Sequence, residues 1–492
     1  MASLPVAAYT TSVVVCVGFA IFALIWSRKM KEKNDNPDFF LTARNSQPTA
    51  RIAWSFYAAA VGAWTLFGPP SYALYAGIIG ITFYAIACGI PIFVVAFFGG
   101  KIQERFPQVQ SMADFVRWRF SPTLQALVTI IMLFNMSIGL TAEYTSIGDL
   151  FETVIGSNRI PIVLVIGVST MLYTASGGLS VSIITDQAQA LFSLLFVGIM
   201  AVYIAVTFRQ PLSSELPPNI APNYYGYSAI AVMPISLTCA SIYNEGFWQR
   251  VWASADDKAL KTGALFAMGM VTVVIFFLGF CGFLAAWAGL EVTNPNTVLF
   301  TLLGAGGEAP IWITVMVTVL AATMNQSAVD SLQNALVDSI SSVLLKGKSV
   351  WWSRLVVVVV NIPLVVVSLQ GYPVMNLFLL SNMIASCCTC PILLGLSRRL
   401  QPYVTTGSVI SGWIISFLSV MVYGAIHEGN VGDGLHFTFF GEYDWPPFLL
   451  AIVFSVVGVF LYGVPAKFIR GPGEDVFSRT TDVPVLNKQM RV

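Results

Sequence analysis

The chain has 492 residues, 56% of them apolar and only 10% charged, with a formal net charge of +1. Soluble domains carry about a quarter charged residues, so a soluble fold is excluded; the net charge by itself says nothing about partners, and nucleic acid is not indicated. Repeated apolar runs of about 20 residues define an all-α integral membrane protein.

About thirteen spans follow one another, near 7–26, 53–76, 79–99, 124–146, 160–176, 184–207, 227–248, 263–288, 311–338, 353–370, 373–396, 405–425 and 447–466. The first has neither a basic leader nor a small-residue cleavage pattern, so it reads as a membrane helix rather than a removed signal. Of the 25 Lys and Arg residues, all but Arg159 and Arg209 fall on alternate connections of one side, Arg250 among them. Basic loops stay cytoplasmic, which predicts an outer N-terminus and a cytoplasmic C-terminus.

Two spans are interrupted. The second contains Gly62 and then Gly68-Pro69-Pro70; the seventh carries Pro234 and ends in Tyr243-Asn244-Glu245-Gly246. Proline removes a backbone donor and glycine loosens the helix, and such breaks are tolerated where freed carbonyls line a cavity. Spans two and seven stand five apart and therefore cross in opposite directions, as the first helices of two inverted five-helix repeats do. Local kinks at helix packing are the simpler alternative. The division that follows is 1–52 (outer N-terminus, first helix and basic loop), 53–207 and 208–397 (the two repeats), 398–466 (two further helices) and 467–492 (a cytoplasmic tail). Candidate solute contacts near the breaks are Trp64, Thr65, Phe67, Glu143, Tyr243, Asn244 and Glu245, since a small polar solute needs a few directed polar groups between apolar walls. Glu143 stands alone among apolar residues; the alternative is a carboxylate already in water beside Asp149 and Glu152.

The ninth span is the most polar. At about 100° per residue, Gln326, Ser327, Asp330, Ser331, Gln333, Asn334 and Asp338 fall in one arc of roughly 160°. A carboxylate at membrane depth is costly and usually marks an ion or substrate path, which makes Asp330 a pathway candidate. Asp338, lower on the helix, fits either such a path or the lining of a watery cytoplasmic mouth, an alternative open to Asp330 as well. The seven cysteines sit in predicted spans and read as small apolar residues; Cys387-Cys388-Thr389-Cys390 has no histidine nearby, and His427 and His436 share one outer loop. No cofactor and no enzymatic chemistry is expected, because no HExxH motif or Ser–His pairing appears.

Several stretches together resemble the sodium:solute symporter family. Asp38 to Arg44 looks like its cytoplasmic FFLAGR segment; Thr174 to Leu179 with Thr185-Asp186-Gln187-Ala188-Gln189 looks like its GGxxAVxWTDxxQ signature. Trp248 to Ser254 resembles its basic loop, and Leu320-Ala321-Ala322 opens its LAAxxST helix. The resemblance implies the leucine-transporter type of fold and a plasma-membrane solute carrier, with solute, coupling cation and lipid bilayer as partners. It implies cation ligands at the Ala58, Val61 and Ala322 carbonyls and at Asn325 and Gln326, with Asp186 and Asp330 on the cation's path. Asp186 also fits a carboxylate stabilised at a helix N-terminus. Asn325 and Gln326 stand where the family has hydroxyls, which leaves sodium or a proton as the coupling ion. The function expected is cation-coupled symport, by alternating access, of a small polar solute such as urea, an amino acid, a vitamin acid or a sugar. The alternative is a membrane sensor that keeps the fold without transport.

Overall fold

The computed structural model describes residues 4–30, 36–292, 294–304, 308–345, 349–370, 374–441 and 443–470. Lys31, Lys33, Lys346, Lys348 and the tail after Arg470 lie outside the described residues. The helices are α1 (Leu4–Lys29), α2 (Pro37–Thr42), α3 (Thr49–Ala60), α4 (Gly68–Arg105), α5 (Met112–Arg119), α6 (Pro122–Asp149), α7 (Ile160–Thr207), α8 (Tyr224–Ile242) and α9 (Glu245–Ala253). They continue as α10 (Asp257–Trp287), α11 (Val298–Leu303), α12 (Ile311–Leu344), α13 (Val350–Ser368), α14 (Val374–Leu394), α15 (Thr406–Glu428), α16 (Val431–His436) and α17 (Trp445–Arg470).

Among the described residues, 11 helices are long and apolar enough to cross a membrane. Two are too long for one crossing. α4 has 38 residues and α7 has 48, about 57 and 72 Å of helix against a hydrocarbon core of about 30 Å. Each is interrupted by one glycine, Gly77 (φ 60°) in α4 and Gly178 (φ 59°) in α7, at the points where the sequence predicts connections between successive spans. Both positions require glycine twice over. The left-handed φ disfavours any side chain, and an added Cβ would lie 2.2 Å from the Ile220 carbonyl oxygen or 2.4 Å from that of Phe40.

The second contact ties the segment before α3 to the glycine pair of α7. The same segment docks on the end of α9: the amides of Asn45 and Ser46 donate to the Trp252 and Ala253 carbonyls at 3.1 and 3.0 Å, and Ala255 N donates to Gln47 O at 2.9 Å. Three separated sequence motifs therefore meet at one end of the bundle.

α12 is the central helix. Within its most apolar 18-residue window, 78% of the residues are buried, against 18–61% for the other membrane helices. It packs on α6, α7 and α1, while α10 lies along α4 and α15 along α17. Leu320 to Ser331 are buried on every side, so the polar arc faces protein rather than a watery mouth, and Asp338 is only 2% exposed. All seven cysteines are free thiols, five of them buried.

The α10–α4 seam gives a direct test. An added Cβ at Gly282 would fall 2.1 Å from the Pro70 carbonyl oxygen, whereas one at Gly269 meets nothing within 4 Å. Backbone cannot move aside as a side chain can, so Gly282→Ala is expected to destabilise by about 1–3 kcal/mol. Thermal unfolding in nanodiscs should show a lowered Tm for Gly282→Ala and little change for Gly269→Ala; equal Tm values would contradict the packing.

Candidate functional site

The site begins with a helix that stops inside the bundle. α3 ends at Ala60; Val61 and Gly62 are extended, a 3-10 turn covers Ala63–Leu66, and α4 starts at Gly68 with Pro69 and Pro70 in its first turn. Those prolines open a helix, where a missing N–H costs nothing; the break itself is at Val61-Gly62. It leaves the Ala58, Ala59 and Ala60 carbonyls without the partners that a continuing helix would supply. The second interruption lies at Tyr243-Asn244. Asn244 caps α9 by accepting from Gly246 N at 2.9 Å, and the Trp248 indole donates to Ile242 O at 2.9 Å, satisfying an end carbonyl of α8.

Glu143 of α6 closes over the first break. Its Oε2 accepts from Ala63 N at 3.0 Å and from Asn325 Nδ2 at 2.8 Å, and the same amide nitrogen donates to the Glu143 carbonyl at 2.7 Å. A Cβ at residue 62 would lie 1.7 Å from Glu143 Oε1. Glycine is needed there for space rather than for backbone freedom, since its φ is −100°.

Between the two breaks is a cavity of about 150 Å³. Its walls are aromatic (Trp64, Tyr84, Phe247, Phe378 and Tyr443) with Asn135, Ser241, Asn244, Ser381 and Asn382 as polar groups. Trp64 stands 6.3 Å from Tyr84 and 6.0 Å from Phe378 between ring centroids. Among the described lining residues Glu143 is the one carboxylate, and none is Lys, Arg or His.

Beside the cavity lies a fully buried ion pair. Arg250 of α9 and Asp186 of α7 approach to 2.8 Å with both side chains 0% exposed. Arg250 also donates to Ser55 Oγ (2.9 Å), Ser331 Oγ (2.7 Å) and Gly246 O (2.7 Å). Asp186 accepts from Ser55 at 2.6 Å and from Ser327 at 2.9 Å. Four helices, α3, α7, α9 and α12, meet on this one pair.

The model of the sodium:solute symporter family matches residues 39–399. The chain belongs to that family. It is a cation-coupled membrane transporter, not an enzyme. The chain is 27% identical over 440 residues to the spermidine transporter DUR31 of Candida albicans, a match that spans 87% of this chain and 84% of that protein. It is 25% identical over 293 residues to the sodium/glucose cotransporter of Vibrio parahaemolyticus, covering 53% of each. Its fold is similar to that of a Na+-coupled sialic acid symporter solved in a substrate-bound outward-open state, with a TM-score of 0.70 at 16% identity over 95% of this chain and 98% of that one. The architecture is the leucine-transporter type that the sequence predicts.

Within this symporter the sequence-predicted residues separate. Trp64, Glu143 and Asn244 line the cavity. Thr65 does not; its hydroxyl donates to Gly62 O at 2.7 Å and steadies the 3-10 turn. Phe67 and Tyr243 are buried in the core, and Glu245 turns to the start of α5, accepting from Met112 N at 3.2 Å and from the Trp252 indole at 3.3 Å. Of the expected cation ligands, Ala58, Val61, Ala322 and Asn325 are buried, and Asn325 Oδ1 has no hydrogen-bond partner. Gln326 points elsewhere, donating to Cys16 O at 3.0 Å and Ser169 Oγ at 3.3 Å. Asp330 accepts from Thr174 and Asn334.

Arg250 is a helix residue, not a loop residue. Read from sequence as one of a cytoplasmic loop's basic residues, it lies inside α9 with 0% exposure. Tyr84, Phe247, Phe378, Asn382 and Tyr443 were also missed. Asn135 and Asn382, as amides inside apolar spans, carried a legible signal, and Phe247 lies in the first turn after the second break; Tyr84, Phe378 and Tyr443 carried none.

Removing one partner of a buried pair strands the other charge, at a cost of about 3–5 kcal/mol, whereas replacing both with apolar groups is far milder. Arg250→Met is therefore expected to lower thermal stability sharply, and Arg250→Met with Asp186→Leu to recover much of the loss. A double variant no more stable than the single one would contradict the pairing.

Proposed function

We propose that this symporter takes up a small organic amine cation, held in the central cavity by Glu143 and coupled to inward movement of sodium. The observation that carries the reading is the cavity's chemistry. A lone carboxylate faces aromatic walls with no competing basic side chain lining the cavity among the described residues. An ammonium gains from the carboxylate's charge, and each aromatic face adds about 0.5–2 kcal/mol of cation–π attraction as it is desolvated. The methylene body of an aliphatic amine suits the remaining apolar wall. Likeness to a transporter of spermidine supports the same class. A sugar or urea gains nothing comparable from an unpaired carboxylate.

Glu143 also touches Ala63 N and Asn325, so a solute that draws on its charge acts directly on the broken helix and on α12. That contact provides a route by which solute binding and the conformational change communicate. The paired breaks at Val61-Gly62 and Tyr243-Asn244 support two inverted repeats, 53–207 and 208–397. The basic connections support an outer N-terminus in a plasma-membrane carrier.

Uptake by proteoliposomes tests the reading, with labelled spermidine, putrescine, glucose, urea and proline run with and without an inward sodium gradient. Sodium-driven accumulation of the amines is expected, reduced at least about tenfold in Glu143→Gln, as fits the loss of a charge-assisted contact worth 1.4 kcal/mol or more. Preferential accumulation of a neutral solute, or amine uptake untouched in Glu143→Gln, would contradict the substrate class. Solute binding without accumulation under the gradient would make the protein a sensor.

A further inference from the structure

Two buried carboxylates, Asp186 and Asp330, lie within electrostatic reach of one guanidinium, and Arg250 contacts only the first. Asp186 is occupied by Arg250, Ser55 and Ser327. Asp330, on the neighbouring turn of α12, is 0% exposed and uses Oδ1 alone: Thr174 Oγ1 and Asn334 Nδ2 both donate to it. Its Oδ2 is buried without a hydrogen-bond partner. The Ser182 hydroxyl lies against this carboxylate and the Tyr173 hydroxyl against the Gln189 amide, yet none of Ser182 Oγ, Tyr173 OH and Gln189 Oε1 makes a hydrogen bond of normal geometry. Ser182 and Tyr173 are each 1% exposed.

These groups are neighbours. Asp330 is within electrostatic reach of Asp186 and Arg250, and Tyr173 within reach of Asp330, Asp186, Gln189 and, from α1, Cys16. Tyr173 and Ser182 come from opposite sides of the Gly178 interruption in α7, so the tight glycine turn sets both residues within electrostatic reach of Asp330. With Asp186 and Asp330 ionised against Arg250, the cluster carries one uncompensated negative charge. A buried charge without a partner costs several kcal/mol.

We propose that Asp330 Oδ2, together with the Ser182 and Tyr173 hydroxyl oxygens, binds a sodium ion, and that this is the coupling cation's seat in the chain. The site is distinct from the one implied by family resemblance at Ala58, Val61, Ala322, Asn325 and Gln326. Hard cations take oxygen ligands, carboxylate and neutral together, and a single positive charge brings the cluster to neutrality where a divalent ion would overshoot. One end of Asp330 is held by Thr174 and Asn334, which orients the other toward the ion. The site's part in coupling rests on the symport reading above; its binding of sodium does not.

Equilibrium binding of radioactive sodium to the purified protein in nanodiscs, without solute, tests it. Saturable binding is expected for the wild type. Asp330→Asn should lose at least about tenfold in affinity, as even supporting residues of metal sites typically account for 10–100-fold. Ser182→Ala and Tyr173→Phe, small changes that leave the helices intact, should each weaken binding severalfold, while Gly269→Ala, where an added Cβ meets nothing within 4 Å, should not. They keep the test decisive if Asp330→Asn fails to fold. Wild-type affinity in Ser182→Ala and Tyr173→Phe, or loss confined to Asn325→Ala, would overturn the site, as would absence of sodium binding with proton-driven uptake intact. Sodium-driven amine uptake that survives Asp330→Asn removes the site and keeps the symporter. Sodium binding lost in Asp330→Asn, with no gradient-driven uptake of any solute, removes the symporter and keeps the site.

Discussion

A charge buried in a membrane protein must find its opposite within the bundle, and here the Arg250–Asp186 pair answers that demand for four helices at once. Ser55 of α3, Ser327 and Ser331 of α12 and the Gly246 carbonyl of α9 complete the polar coordination. All nine residues of α9 are buried, so without Asp186 the helix would hold an uncompensated cation inside the bundle. With the pair, the end of the second broken helix is fixed against the first. A buried pair of this kind is weak support for stability as such; its effect here is positional.

The cavity follows from that positioning. α3 stops at Ala60 and α8 at Ile242, and side chains satisfy the exposed backbone: Glu143 of α6 on Ala63, Trp248 of α9 on Ile242, and Asn244 on the start of the helix it caps. Irregular backbone at membrane depth survives only where it is buried in protein or lines a cavity, and both conditions are met. The polar face of α12 is apportioned residue by residue among its neighbours, which explains why so hydrophilic a helix is also the most buried one.

Much of the fold was legible because lipid imposes simple rules. Apolar runs set the spans, and Gly62 and Tyr243-Asn244 announced the two breaks. The glycines at 77 and 178 fall where the connections were drawn. Side-chain direction was not legible. Asn325 and Gln326 are adjacent in sequence, but a 100° turn sends one to Glu143 and the other to Cys16 and Ser169. Glu245 looked like a solute contact because it sits at a break, and it serves instead to pin α5. Arg250 looked like a loop residue because charge alone cannot reveal a buried partner 64 positions earlier in the chain. Tyr84 and Phe378 of the aromatic wall came from the interior of long helices with no local irregularity to betray them.

The central claim is that a carboxylate at the first helix break receives a cationic solute. A cryo-electron-microscopy map of the protein in nanodiscs, with spermidine and sodium present, tests it most directly. Solute density between Trp64 and Phe378, with a nitrogen in hydrogen-bonding reach of Glu143 and Arg250 still on Asp186, is the expected result. Solute bound away from Glu143, or an amine seated on Asp186 with the guanidinium displaced, would contradict the account.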